Sequence, residues 1–282
     1  VGLEPVFGVL SQILMDRFHD PFQALVIISV FIALLMVAAG FWLEKVPLLF
    51  GSLVMPYYLL DMTMNGVRYG LAFAIVTLAT GFLLRGRRLV FMALTALATL
   101  TQLSALLLAA GIWLLLEARL RTAALVVVLA VPFILYFGTY LDDKAAIYSD
   151  LTIISIFSGL GPLALSLAML GALFTVKEIR DTHAFQIAAL VAAAVLVYGS
   201  TQITSAGLRL QQLVLFLIYL YGAAKIYRLS VNVWRNQLLI VAMIFIALLS
   251  ATLRLDNFAE DRAFGPTPFN PYYFIWNHYG FS

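Results

Sequence analysis

Apolar residues fill the chain in long blocks separated by short polar segments, without the two-residue alternation of a half-buried strand. Blocks at 21–43, 67–84, 122–141, 151–176, 184–199, 208–227 and 237–253 approach the roughly 20 residues that an α-helix needs to cross the hydrocarbon layer. The block 46–60 is short for a crossing, but it ends in MPYYLL, whose aromatics can sit at the interface. The block 89–116 is too long for one straight crossing and carries the polar run TLTQLS (99–104) at its centre. GLGP (159–162) reads as a helix break rather than a nucleotide fingerprint. The pattern predicts an all-α, polytopic transmembrane bundle of about eight spans, forming one domain over 1–282.

Charge decides how the long block threads. Cytoplasmic loops collect Lys and Arg, and the basic clusters here are RGRR (85–88), EARLR (117–121), KEIR (177–180) and KIYRLSVNVWR (225–235). Counting crossings from either terminus puts all four on one face only if 89–116 enters and returns as two half-length helices with a tip near Gln102. Eleven of the 17 Lys and Arg (45, 85, 87, 88, 119, 121, 177, 180, 225, 228 and 235) then face inward. Irregular backbone at membrane depth is tolerated where it is buried in protein or lines a wet cavity, which suits a Thr/Gln/Ser tip. The alternative is one long tilted span. The re-entrant reading leaves five polar segments on the outer face: 1–20, 61–70, 141–150, 199–211 and 254–282.

Composition removes other classes. With 63% hydrophobic and 11% charged residues, the chain departs far from the about 25% charge of a soluble domain. Zero cysteines exclude disulfides and thiolate catalysis. His19, His183 and His278 lack metal-ligand spacing, so no metal site is expected. A net charge of +3, spread over loops, gives no footing for nucleic acid.

Two arginines stand out. Arg68, in MTMNGVRYGLAF (62–73), and Arg209, in SAGLRLQ (205–211), each begin a membrane helix at its outer end, shortly after a glycine and an Asn or Thr/Ser. A guanidinium at the centre of a membrane helix costs about 2.5–3.5 kcal/mol on insertion scales, and less near the ends. Its fork of donors matches phosphate oxygens, and helix N-termini add free N–H groups. The pair suits a diphosphate; the plainer alternative is snorkelling to outer headgroups. The tail is rich in aromatics that stack on sugars or anchor at the interface.

LEPVFGVLSQIL (3–14) resembles the Glu-Pro-Gly-Phe segment of EpsG-type, Wzy-like polysaccharide polymerases. MNGVRYGLAF onward (64–108) is similar to that family's Asn-Gln-x-Arg-Gln-Gly helix, basic loop and Phe-His-x-Ser-Ala-Leu element. SAGLRLQQLVLFLIYLY (205–221) and NPYYFIW (270–276) resemble its later Arg helix and Pro-Tyr ending. Val6 stands for the usual Gly, Gly66 for Gln and Gln102 for His, so Gln102 can hydrogen-bond but not carry a proton. The family's first helices and Asp-Tyr loop have no counterpart ahead of Glu4, so residues upstream of Val1 are expected.

The resemblance implies a GT-C-like, metal- and cofactor-independent glycosyltransferase in the bacterial inner membrane, its site facing the periplasm. It would polymerise undecaprenyl-diphosphate-linked oligosaccharide units into exopolysaccharide or O-antigen-type chains, with room for a chain-length regulator as partner. Arg68 and Arg209 would hold the diphosphate. Glu4 would take the acceptor proton, with Asp16, Asp61 and Asp150 as other carboxylates. Asn65, Tyr69, Gln102, Tyr272 and Tyr273 would line the pocket. Competing readings are a glycosyltransferase using a polyprenyl-phosphate sugar, which would be EDTA-sensitive, and a flippase, for which paired broken helices in two related halves are missing.

Overall fold

A computed structural model of the chain describes residues 5–64, 66–117, 159–202, 206–230 and 232–260, and every regular element among them is helical. The expected span 122–141 lies outside these residues.

Helix α1 (Pro5–Phe18) falls in a segment read from sequence only as a polar outer stretch. Phe7, Leu10 and Leu14 recur at helical spacing and pack on the core, seating α1 against α2 and α5. His19 ends it in the left-handed region (φ 55°), with its N–H bonded to the Met15 carbonyl at 2.8 Å. Asp20 then caps α2 (Pro21–Leu43), accepting the Phe22 N–H at 2.9 Å, and Pro21 takes the first turn, where no backbone donor is needed.

The short block 46–60 forms a π-helical segment, Phe50–Tyr58, that runs directly into α3 (Leu59–Met64). Buried Glu44 caps it, accepting N–H groups from Leu49 at 3.1 Å and Phe50 at 2.9 Å. Pro56, inside the wide turns, removes one backbone donor. The remaining helices are α4 (Val67–Leu84), α5 (Arg88–Thr101), α6 (Ser104–Leu116), α7 (Leu160–Phe174), α8 (Lys177–Thr201, bent at His183), α9 (Ala206–Arg228) and α10 (Gln237–Glu260). Among the described residues, five helices are long and apolar enough to cross a membrane: α2, α4, α8, α9 and α10. The block 89–116 breaks at Gln102 and Leu103 into two shorter helices.

Side-chain contacts fix the helix directions. Arg85 closes α4 onto the end of α2, donating to the Trp42 carbonyl at 3.0 Å with its guanidinium 3.9 Å from the Trp42 ring. Arg88, before α5 has made a turn, pairs with Glu117 just beyond α6 at 2.8 Å, so the two ends of this helix pair meet. Arg228, at the end of α9, joins the same carboxylate and donates to the Leu116 carbonyl at 2.8 Å. Lys225 lies 3.2 Å from His183 near the start of α8, and Lys45 lies 3.2 Å from Ser230. One end of the bundle therefore gathers Lys45, Arg85, Arg88, Lys225 and Arg228. We term it the basic end.

Helix α9 runs through the core. Its Phe216 meets Phe73 of α4 at 4.9 Å and Tyr58 at 5.2 Å between ring centroids. Nearer the basic end, Arg85 stands 5.3 Å from the Tyr227 ring. Helices α4 and α9 are thus parallel neighbours, starting together at the end opposite the basic one.

Candidate functional site

That opposite end holds a buried polar cluster where α3, α4 and α10 meet. Asp61 of α3 pairs with Arg254 of α10, Oδ1 to Nη2 at 2.6 Å, and its Oδ2 accepts the Tyr69 hydroxyl. The Arg254 side chain is 10% exposed and that of Asp61 14%, so the pair is nearly sequestered but still reachable from the surface. A guanidinium so covered needs a counter-charge, because its desolvation costs several kcal/mol. Tyr57, at the end of the π-helical segment, lies beside Arg254 with its ring 6.0 Å away.

The glycines of MNGVRYG shape this corner. A Cβ on Gly66 would land on the Tyr69 ring, so the small residue lets that ring fold back toward Asp61. A Cβ on Gly70 would strike the Met62 carbonyl, so its absence allows α4 to start tightly against α3. Beneath, Tyr69 packs edge-on to Phe73 at 5.5 Å, and Tyr58 donates to the Gln212 carbonyl of α9 at 2.6 Å. Aromatic packing of this kind fixes orientation as well as burying area.

Helices α7, α8 and α9 complete the same end. Gly159, with φ 86°, puts its carbonyl 2.7 Å from Gln211 Nε2, and Thr201 at the end of α8 packs on the same glycine. Leu253 lies against Gly161, which brings the Arg254 end of α10 level with the start of α7.

Of the residues singled out from sequence, Arg68 and Arg209 lie at this end, exposed in the first turns of α4 and α9. Arg68 lies about 7.5 Å along its axis beyond Phe73, and Arg209 about 10.5 Å beyond Phe216, at 1.5 Å per residue. Helical phase sets Arg209 roughly 20° from Phe216, whereas Arg68 roots roughly 140° from Phe73, on the far flank of α4. Tyr69, next to Arg68, is the member drawn into the buried cluster. Gln102 ends α5, half-buried. Glu4, Asn65, Tyr272 and Tyr273 lie outside the described residues.

Nothing in the sequence marks Arg254, which opens the polar tail directly after an apolar block, where a terminal arginine ordinarily snorkels. Asp61 was one of several carboxylates, and only the fold, across 193 residues, makes it Arg254's partner. Among the described residues no group of three His, Asp or Glu is arranged to hold a metal ion.

No curated protein and no solved structure matches the chain. A family model does, along residues 1–272, which takes in the Asp61–Tyr69–Arg254 cluster, both helix-start arginines and the basic end. The chain is an integral membrane protein that belongs to the EpsG family.

Proposed function

We propose that the chain is a polymerase joining undecaprenyl-diphosphate-linked oligosaccharide units into an exopolysaccharide or O-antigen-type polymer at the outer face of the bacterial inner membrane. Membership of the EpsG family supports polysaccharide synthesis. The basic end supports the orientation, since Lys and Arg accumulate on the cytoplasmic side and would leave the Asp61–Arg254 end outside. In this reading α5 and α6 form a re-entrant pair, because the Arg88–Glu117 contact returns the chain to the end it left.

The reaction forms a bond from an acceptor sugar hydroxyl to the anomeric carbon of the donor and breaks that carbon's bond to the lipid diphosphate. The leaving group carries the developing negative charge, and stabilising such charge is usually the largest catalytic term. Arg68 and Arg209 are assigned to it, without a metal, at the starts of two parallel helices that add N-terminal dipoles. A carboxylate takes the hydroxyl proton; Glu4 is assigned this step, with Asn65, Tyr69, Gln102, Tyr272 and Tyr273 around the sugars. A chain-length regulator would act from outside the catalytic chain.

The observation that carries the reading is that Arg68, Arg209 and Arg254 all stand at the end opposite the basic one, on helices α4, α9 and α10. The test is polymer synthesis by the purified chain in liposomes from a synthetic lipid-diphosphate oligosaccharide, with product length read on a gel. A ladder that persists in EDTA is expected. Arg68→Lys keeps the charge but loses the two-pronged geometry, and should reduce product at least about tenfold. A wild-type chain that makes no ladder refutes the reading, and normal product from Arg68→Lys removes that arginine from it.

A further inference from the structure

The Asp61–Arg254 pair invites a use beyond holding α3 to α10. A buried ion pair seldom gains much over a well-packed apolar substitute, because desolvation offsets attraction. This pair also sits at the end of the bundle that carries Arg68 and Arg209, with side-chain exposures of 10% and 14%, close enough to the surface for a headgroup to approach. The two oxygens of Asp61 are divided between partners: Oδ1 meets Arg254 and Oδ2 accepts the Tyr69 hydroxyl. If the guanidinium turned away, the carboxylate would keep Tyr69 as donor.

We propose that Arg254 is a caged anion ligand, held by Asp61 until a lipid-linked diphosphate displaces that carboxylate and takes the guanidinium. The ligand class rests on the polymerase reading; the exchange itself rests on the cluster. Asp61 acts here as an internal competitor, an acid occupying donors that suit a phosphate. Competition keeps the arginine paired while the site is empty and lowers its affinity for ordinary phospholipid phosphates, which a diphosphate of higher charge overcomes. Tyr69 holds the displaced carboxylate, its ring folded over Gly66 at the start of α4. Arg254 would thereby join Arg68 and Arg209 as a third positive group for the departing lipid diphosphate.

The exchange predicts a sign that a purely structural bridge does not. In nanodiscs of phosphatidylcholine, farnesyl diphosphate should bind the Asp61→Asn variant about tenfold more tightly than the wild type, since a charge-assisted competitor is gone. The Asp61→Asn/Arg254→Gln double variant, which leaves a neutral pair of similar shape, should bind at least about tenfold more weakly than the wild type. A parallel arm with inorganic diphosphate tells whether the headgroup alone is recognised or the prenyl chain is needed; a gain in either arm supports the exchange. A folded Asp61→Asn variant that binds both probes no more tightly overturns it, and so does a double variant with wild-type affinity. Should Asp61→Asn fail to fold, the double variant decides alone. Polymer synthesis is scored separately, so a chain that shows the exchange but makes no polymer defeats the enzymatic reading and leaves the anion site standing.

Discussion

At Gly70 the corner that carries the site has no spare volume: a methyl group there meets the Met62 carbonyl, which is backbone and cannot step aside. Gly70→Ala is expected to destabilise the protein by about 1–3 kcal/mol, the usual cost of overpacking, read as a lower melting temperature in detergent. Gly171→Ala, with open space around its Cβ position, should change stability by less than about 0.5 kcal/mol. The contrast tests close approach rather than glycine flexibility. In the sequence MNGVRYG only the arginine stands out, because a charge among apolar residues is visible in one dimension. That Gly66 makes room for the Tyr69 ring was not legible, because the hydroxyl's acceptor lies on the preceding helix.

Two carboxylates near the basic end hold elements together and respond oppositely to pH. Partial burial acts to raise Glu117, but hydrogen bonds and charge from Arg228 and Arg88 outweigh it and hold the group below its ordinary value of 4.5. Its folded value is depressed, so the clasp on α6 is at full strength above the unfolded value and lost as pH falls through the folded one. Glu117→Gln should therefore lower the melting temperature at pH 7, and the gap to wild type should close on acidification below about pH 4.5. Glu44, in the loop after α2, behaves the other way. Burial pushes it up to about 8, although the Leu49 and Phe50 N–H groups pull it back. Its folded value is raised, so its contribution is complete below about pH 4.5 and lost as pH rises through about 8. Melting curves from pH 5 to 9 should fall for the wild type and be flatter for Glu44→Gln. At this scale the elements were largely legible, since blocks of apolar residues become helices wherever backbone groups must be satisfied internally. The π-helical turns over Phe50–Tyr58 were not, because Glu44's cap and Pro56 act through backbone geometry that hydropathy does not encode.

For the whole molecule, the central expectation is orientation. The chain contains no cysteine, so a single introduced one reports its side of the membrane without background. Arg119→Cys, two residues beyond the Glu117 clasp, should react with an impermeant maleimide only after permeabilisation, and Gln202→Cys, at the end of α8, should react in intact cells. Labelling of the first in intact cells would place the basic end outside and overturn the proposed orientation. The sorting of Lys45, Arg85, Arg88, Lys225 and Arg228 to one end follows from helix directions that the charge pattern anticipated, since each crossing reverses the chain.

The amino-acid sequence by itself determined that this protein is a helical membrane protein, where its apolar blocks begin and end, and which arginines stand at helix starts. Those properties follow from transfer free energies and local capping, which act over one or two turns. The tertiary structure alone decided that Asp61, Tyr69 and Arg254 form one buried cluster, that α4 and α9 run side by side, and that α1 packs as a helix on α2 and α5. A buried charge must find its counter-charge somewhere in the fold, and which residue supplies it depends on how the helices pack, not on proximity along the chain.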